Sequence, residues 1–206
     1  MILNTGSRTD IPACYCDWFY NRIKEGYVLT RNPYYPTQVT KYILRPEVVD
    51  MIVFCTKNPF PMLERLSLLS AFDMFWFVTI TPYGQEIEPH VPPGELVIDY
   101  FKQLSEQIGK KRLSWRYDPV FITDRYPVDY HIEQFCQMAR ALSGYTEQCV
   151  VSFLDLYEKT LRNFNKARSV TKDEQEKIIA AFSEIAVEYK LQIHLCCENP
   201  KLIRKN

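Results

Sequence analysis

A chain of 206 residues is long enough to bury one ordinary core without disulfides or metals to staple it. Hydrophobic residues make up 47% and charged residues 24%, which excludes a disordered chain. Lysine plus arginine equals aspartate plus glutamate at 25 each, so net charge indicates no nucleic-acid partner and no acidic membrane, though a local basic patch stays open.

The opening Met1–Gly6 has no charged region and no long apolar run, so no signal peptide is expected. Ile2–Thr5 reads as a first strand, and Pro12 opens a helix carrying Tyr15, Trp18, Phe19 and Ile23 before Gly26. Val28–Arg31 and Gln38–Leu44 predict a small antiparallel excursion around Asn32-Pro33. Further strands are expected at Met51–Thr56, Phe75–Thr81, Arg112–Tyr117, Cys149–Leu154 and Leu191–Cys196, all rich in Val, Ile, Phe, Trp or Thr. Between them, helices are expected from Pro61 (Leu63, Leu66, Leu69), over 94–110, along an Ile132, Phe135, Cys136, Ala139, Leu142 stripe, and over Ile178–Tyr189. Thr171 and Glu174 form a capping box for the last.

This alternation predicts one α/β domain over residues 1–206, an incomplete or open (β/α) TIM-type barrel of about six parallel strands; a doubly wound sheet is the alternative, but no Gly-x-Gly-x-x-Gly follows the first strand. The longest apolar stretch, Met74 to Ile80 with Thr79 inside it, is too short to span a bilayer. Seven scattered cysteines suit reduced thiols in a cytoplasm. The 14 tyrosines fit core packing and surface tips, or a tyrosine-lined cleft.

Chemistry collects where strands lead into helices. Ser7-Arg8-Thr9-Asp10, Thr56-Lys57-Asn58-Pro59, Thr81-Pro82-Tyr83-Gly84, Arg116-Tyr117-Asp118-Pro119, Asp155-Leu156-Tyr157 with Lys159 and Arg162, and Cys196-Cys197-Glu198 all follow strands. In parallel α/β proteins such ends converge on the ligand-binding rim. Ser114, Arg116 and Asp118 share one strand face, and Leu113, Trp115 and Tyr117 the other; His194, Cys196 and Glu198 also share a parity. Arg8, Thr9, Thr56, Lys57, Asn58, Thr81, Tyr83, Arg116, Tyr117 and Lys159 are therefore expected to bind a small anion, because guanidinium and ammonium groups hold phosphate, sulfonate or carboxylate oxygens. Asp10, Asp118, Asp155 and Glu198 are the candidate acids and bases, with a divalent metal as the other use of such carboxylates. The bland reading has Asp10 and Asp118 as caps or rim ion pairs. Neither Cys14-x-Cys16 nor Cys196-Cys197 is a C-x-x-C unit, so both read as ordinary thiols. His131 reads as a helix-surface residue, and His90 sits in a proline-rich loop.

The ordered set Ser7-Arg8-Thr9-Asp10-Ile11-Pro12-Ala13, Thr56-Lys57-Asn58-Pro59, Thr81-Pro82-Tyr83-Gly84, Trp115-Arg116-Tyr117-Asp118-Pro119 and Ser152-Phe153-Leu154-Asp155 resembles a bacterial and archaeal domain-of-unknown-function family over nearly the whole chain. That resemblance implies a radical-SAM-like barrel, with a 4Fe-4S cluster on a three-cysteine motif after the barrel and S-adenosylmethionine as cofactor. Two departures stand out: Ser7 replaces the first of two adjacent arginines, and the chain ends at Asn206 where the cysteine motif should follow. A truncated, split or cluster-less member is expected. Three functions follow: a radical-SAM-type enzyme domain on an anionic substrate, a non-catalytic ligand-binding module or subunit, and a metal-dependent hydrolase or lyase.

Overall fold

Strands and helices alternate along the chain as β1 (Ile2–Asn4), α1 (Ile11–Cys14), α2 (Cys16–Glu25), β2 (Tyr27–Arg31), β3 (Val39–Ile43), β4 (Met51–Thr56), α3 (Phe60–Leu63), β5 (Met74–Thr79), α4 (Gly94–Ile108), β6 (Leu113–Val120), α5 (Val128–Leu142), β7 (Gln148–Phe153), α6 (Glu158–Asn163), α7 (Lys172–Glu188) and β8 (Gln192–Leu195). The computed structural model describes residues 1–6, 8–164, 168–198 and 202, and the side chain of Lys159 lies outside that description. Six strands form a parallel sheet in the order β1-β4-β5-β6-β7-β8, and β2 pairs antiparallel with β3. The expected α/β class, six parallel strands and antiparallel excursion are all present. No helix among the described residues is long and apolar enough to cross a membrane. Contacts gather the chain into two compact units, Met1–Phe77 and Val78–Asn206, with the boundary inside β5.

In the first unit β1 lies parallel to β4, with Ile2 opposite Met51 and Asn4 opposite Val53. Asp10 caps α1 through its carboxylate and the Ala13 amide, with Pro12 inside the first turn where a missing N–H costs nothing. Gly26, at φ 75°, ends α2 in the left-handed region open to glycine. Phe19, Phe54 and Trp76 fill the core, with Phe54 and Trp76 stacked at 4.1 Å. The helix expected from Pro61 is instead α3 followed by a 3-10 turn at Leu66–Leu69. Leu63, Leu66 and Leu69 recur every three residues, the period of a 3-10 turn, and all three are buried.

In the second unit β6, β7 and β8 run parallel, with Arg116 opposite Val150 and Val150 opposite His194. The register of β6 and β7 shifts between Tyr117 and Val120, where Pro119 has no amide hydrogen to give the ladder. The capping box of Thr171 and Glu174 opens α7 as expected. Trp115, Tyr117, Phe135 and Phe182 are fully buried between the sheet and the α5–α7 layer, and Phe135 stacks on Phe182 at 3.8 Å. His131 belongs to this core, which corrects its reading as a surface residue. Its Nε2 lies 2.8 Å from the Phe121 carbonyl and its Nδ1 2.9 Å from the Tyr117 hydroxyl. A carbonyl only accepts, so Nε2 carries the hydrogen and Nδ1 accepts from Tyr117. Burial holds the imidazole pKa below its usual value and keeps the ring neutral.

Candidate functional site

In the first unit the ends of β1 and β4 meet through Asp10. One of its oxygens accepts from the Ala13 amide at 3.0 Å and the other from the Lys57 amide at 2.8 Å. Asp10 thus acts as a structural tie between two strand ends. Thr56 is buried and accepts from the Asn58 amide at 2.9 Å, while Asn58 accepts from the Phe60 amide at 3.2 Å. This Asx-type turn fixes the start of α3. Ser7 lies outside the described residues. Gly6 packs so closely on β4 that a Cβ there would sit 2.5 Å from Cys55 Cβ, a distance side chains do not tolerate.

Next to Gly6, Arg8 and Thr9 line a cleft of about 370 Å³. Its floor is apolar, from Leu3, Ile11, Phe19, Val28 and Leu44, and its hydroxyls come from Thr5, Thr9, Thr30 and Tyr42. Among the described residues Arg8 is the one charged side chain in that lining. The Met1 ammonium also borders it and is held by the Asp50 carboxylate at 2.5 Å. Val28, Thr30, Tyr42 and Leu44 come from the inner face of the β2–β3 ribbon and the residue after it, so the antiparallel excursion is a wall of this cleft. Arg8 Nη2 donates to the Arg31 carbonyl at the ribbon's end, 3.1 Å away.

In the second unit the polar face of β6 continues across β7 and past the end of β8. Arg116 and Asp118 form an ion pair, with side chains 24% and 21% exposed. Ser152 on β7 donates to the other oxygen of Asp118, and Arg116 Nη2 lies 3.8 Å from Cys196 Sγ just after β8. A carboxylate gripped from two sides in this way is held in one orientation. Glu198 turns back to accept from the Phe153 amide at 2.8 Å, and Asp155 accepts from the Tyr157 hydroxyl at 3.1 Å while exposed. Of the four candidate acids and bases, Asp118 alone has both oxygens engaged by side chains on the polar sheet face among the contacts described here. Lys159 sits in α6, a helix not expected from sequence, and its side chain is outside the described residues.

Thr81 and Tyr83 lie elsewhere in the second unit, on a cavity of about 280 Å³ that Thr79, Gln85, Glu88 and Pro93 also line. Thr81 donates to the Glu88 carboxylate at 3.0 Å. The Tyr83 hydroxyl donates to the Pro119 carbonyl at 2.7 Å and its ring stacks on Phe121 at 4.2 Å, so burial drives its pKa up. Tyr117 faces the core, bonded to His131, on the side of β6 opposite Arg116. Within each unit the strand ends therefore gather part of the predicted set. Beyond the residues expected to bind or to act as acid and base, the structure adds Ser152 and Cys196, both named in the sequence motifs without a role, and Glu88, Thr30 and Tyr42, which sequence reasoning missed. Ser152 and Cys196 carried a signal, since they share the parity of Val150 and His194 and so face the row of Arg116.

Against known protein families, residues 2–206 match the one described as Domain of unknown function (DUF1848). The chain belongs to this family. No curated protein and no solved structure matches it. The resemblance drawn from the strand-end motifs thus holds for the DUF1848 chain at the level of an uncharacterised family.

A 4Fe-4S cluster can be tested against the side chains of this DUF1848 chain. All seven cysteines are free thiols. Among the described residues no three His, Cys, Asp or Glu side chains come together to hold a metal ion. Cys196 and Cys197 approach to 3.9 Å between sulfurs, and no third ligand joins them among the described residues. The residues described do not fit the cluster. The rim carboxylates likewise gather no metal-binding trio among the described residues.

Proposed function

We propose that this DUF1848 chain is a small-anion-binding α/β domain of the open, radical-SAM-like barrel type, and that its first unit takes an organic anion in the Arg8 cleft. One observation carries the reading: among the described residues Arg8 is the sole charged side chain in the lining of a cleft that is otherwise largely apolar and hydroxyl-bearing. A guanidinium grips a carboxylate, sulfonate or phosphate through paired N–H donors. The aliphatic and Phe19 surfaces suit an apolar body attached to that head group, and Thr9, Thr30 and Tyr42 stand ready for its remaining oxygens. The volume is within the range of small-molecule sites. The motif resemblance supports the barrel type and the enzyme-like setting; the anion reading does not depend on a cluster.

Thermal-shift measurement of the full chain tests it. Benzoate, an anion with an apolar body, is expected to raise the Tm, with inorganic phosphate giving a smaller shift and benzyl alcohol none. Arg8→Gln is expected to abolish the benzoate shift while leaving the unliganded Tm close to that of the wild type, since Arg8 is exposed. An equal shift in the Arg8→Gln variant removes the proposal.

A further inference from the structure

Two successive residues in an extended strand point to opposite faces. Cys196 and Cys197, which follow β8, do not. Cys197 has φ 61°, in the left-handed region that non-glycine residues seldom enter, and the turn there brings the two sulfurs to 3.9 Å. Cys197 is exposed and Cys196 is partly so, which leaves the pair open to solutes. The Arg116 guanidinium lies 3.8 Å from Cys196 Sγ.

What such a pair holds follows from distances. Neighbouring Cα atoms are about 3.8 Å apart across a trans peptide, shorter than the roughly 4.4 Å at which unstrained disulfides begin. Direct S–S closure is therefore disfavoured. An atom placed between the sulfurs lifts that restriction. Two metal–sulfur bonds of about 2.3 Å at a tetrahedral angle span roughly 3.8 Å, close to the separation observed. We infer that Cys196 and Cys197 form a chelating dithiol site for a soft, thiophilic centre such as a trivalent arsenical or a d10 cation. The chain supplies two sulfur ligands, and exogenous groups complete the coordination. This site is independent of the Arg8 cleft.

Phenylarsonous acid is the probe, because it needs two thiols and nothing more. Each As–OH leaves as water with one thiol proton, two As–S bonds form, and arsenic stays trivalent. With both thiols protonated the exchange releases two waters and no net proton. Native mass spectrometry of the full chain, kept reduced with a phosphine, is expected to show one tightly held equivalent. Removing one of two linked ligands forfeits chelation, so Cys197→Ser should weaken binding about 100-fold or more. Cys197 is exposed, and its serine variant is expected to keep the wild-type Tm. Cys14→Ser, which breaks the other closely spaced cysteine pair, should bind like the wild type. Digestion of the adduct should place arsenic on the peptide containing Cys196 and Cys197. An adduct that persists undiminished in Cys197→Ser, that vanishes in Cys14→Ser, or that never forms in the wild type overturns the assignment.

Discussion

The two faces of β6 use the same stretch of backbone in opposite ways. On one face Trp115 and Tyr117 enter an aromatic core, and the few polar atoms there find fixed partners inside it. The Trp115 N–H donates to the Ile80 carbonyl at 3.0 Å, and Tyr117, His131 and the Phe121 carbonyl form a closed chain of hydrogen bonds. On the other face Arg116 and Asp118 form an ion pair and recruit Ser152 from β7. A buried polar atom without a partner costs far more than a half-exposed one that water can reach. The core face should therefore be stiff and intolerant, and the polar face tolerant and free to be used.

The largest test of that contrast is Phe135→Ala. Phe135 is fully buried, stacked on Phe182 and Trp115, and its truncation should cost about 3–5 kcal/mol in urea unfolding. A loss near that of a surface residue would break the picture of a close-packed aromatic core. Tyr117→Phe should cost less, about 1–3 kcal/mol, by orphaning His131 Nδ1. The same pair sets a pH dependence. The folded-state pKa of His131 is depressed, so above the unfolded value of about 6.5 the ring is neutral in both states and nothing is lost. As pH falls below that value the unfolded chain takes up a proton that the folded core refuses, and stability declines. His131→Gln should flatten this limb of the stability profile, and an unchanged acid limb would show that His131 is not its source. The smallest effect is expected on the polar face. Ser152→Ala removes one donor to a half-exposed carboxylate and should cost under about 1 kcal/mol. A cost equal to that of Tyr117→Phe would erase the distinction between the faces.

Much of this architecture was legible in the residues. Met51–Thr56 is a strand with the bounds read from sequence, and the other strands differ at their ends by one to three residues. The alternation of Ser114, Arg116 and Asp118 with Leu113, Trp115 and Tyr117 needed only the two-residue period of a strand. His131 was misread because it precedes the stripe drawn through Ile132. Counted from His131, the buried positions 131, 135, 138 and 142 fall at helical intervals, one step round from the stripe drawn through Ile132. The Asp118–Ser152 contact depends on the register between β6 and β7, which pattern alone does not set. The closeness of Cys196 and Cys197 depends on a single dihedral angle. The role of the ribbon as a cleft wall required knowing where β2 and β3 come to rest, which their apolar and hydroxyl residues do not announce.

Gly6 has the last bearing on the Arg8 cleft. The hydrogen it carries in place of a side chain lets the backbone at Gly6 press against Cys55 with no spacer between them. A single added methyl group would have to wedge the two apart and displace the arginine it precedes. The reach of that guanidinium into the cleft is thus governed from two residues away, and Gly6→Ala should blunt anion capture without touching any atom that meets the anion.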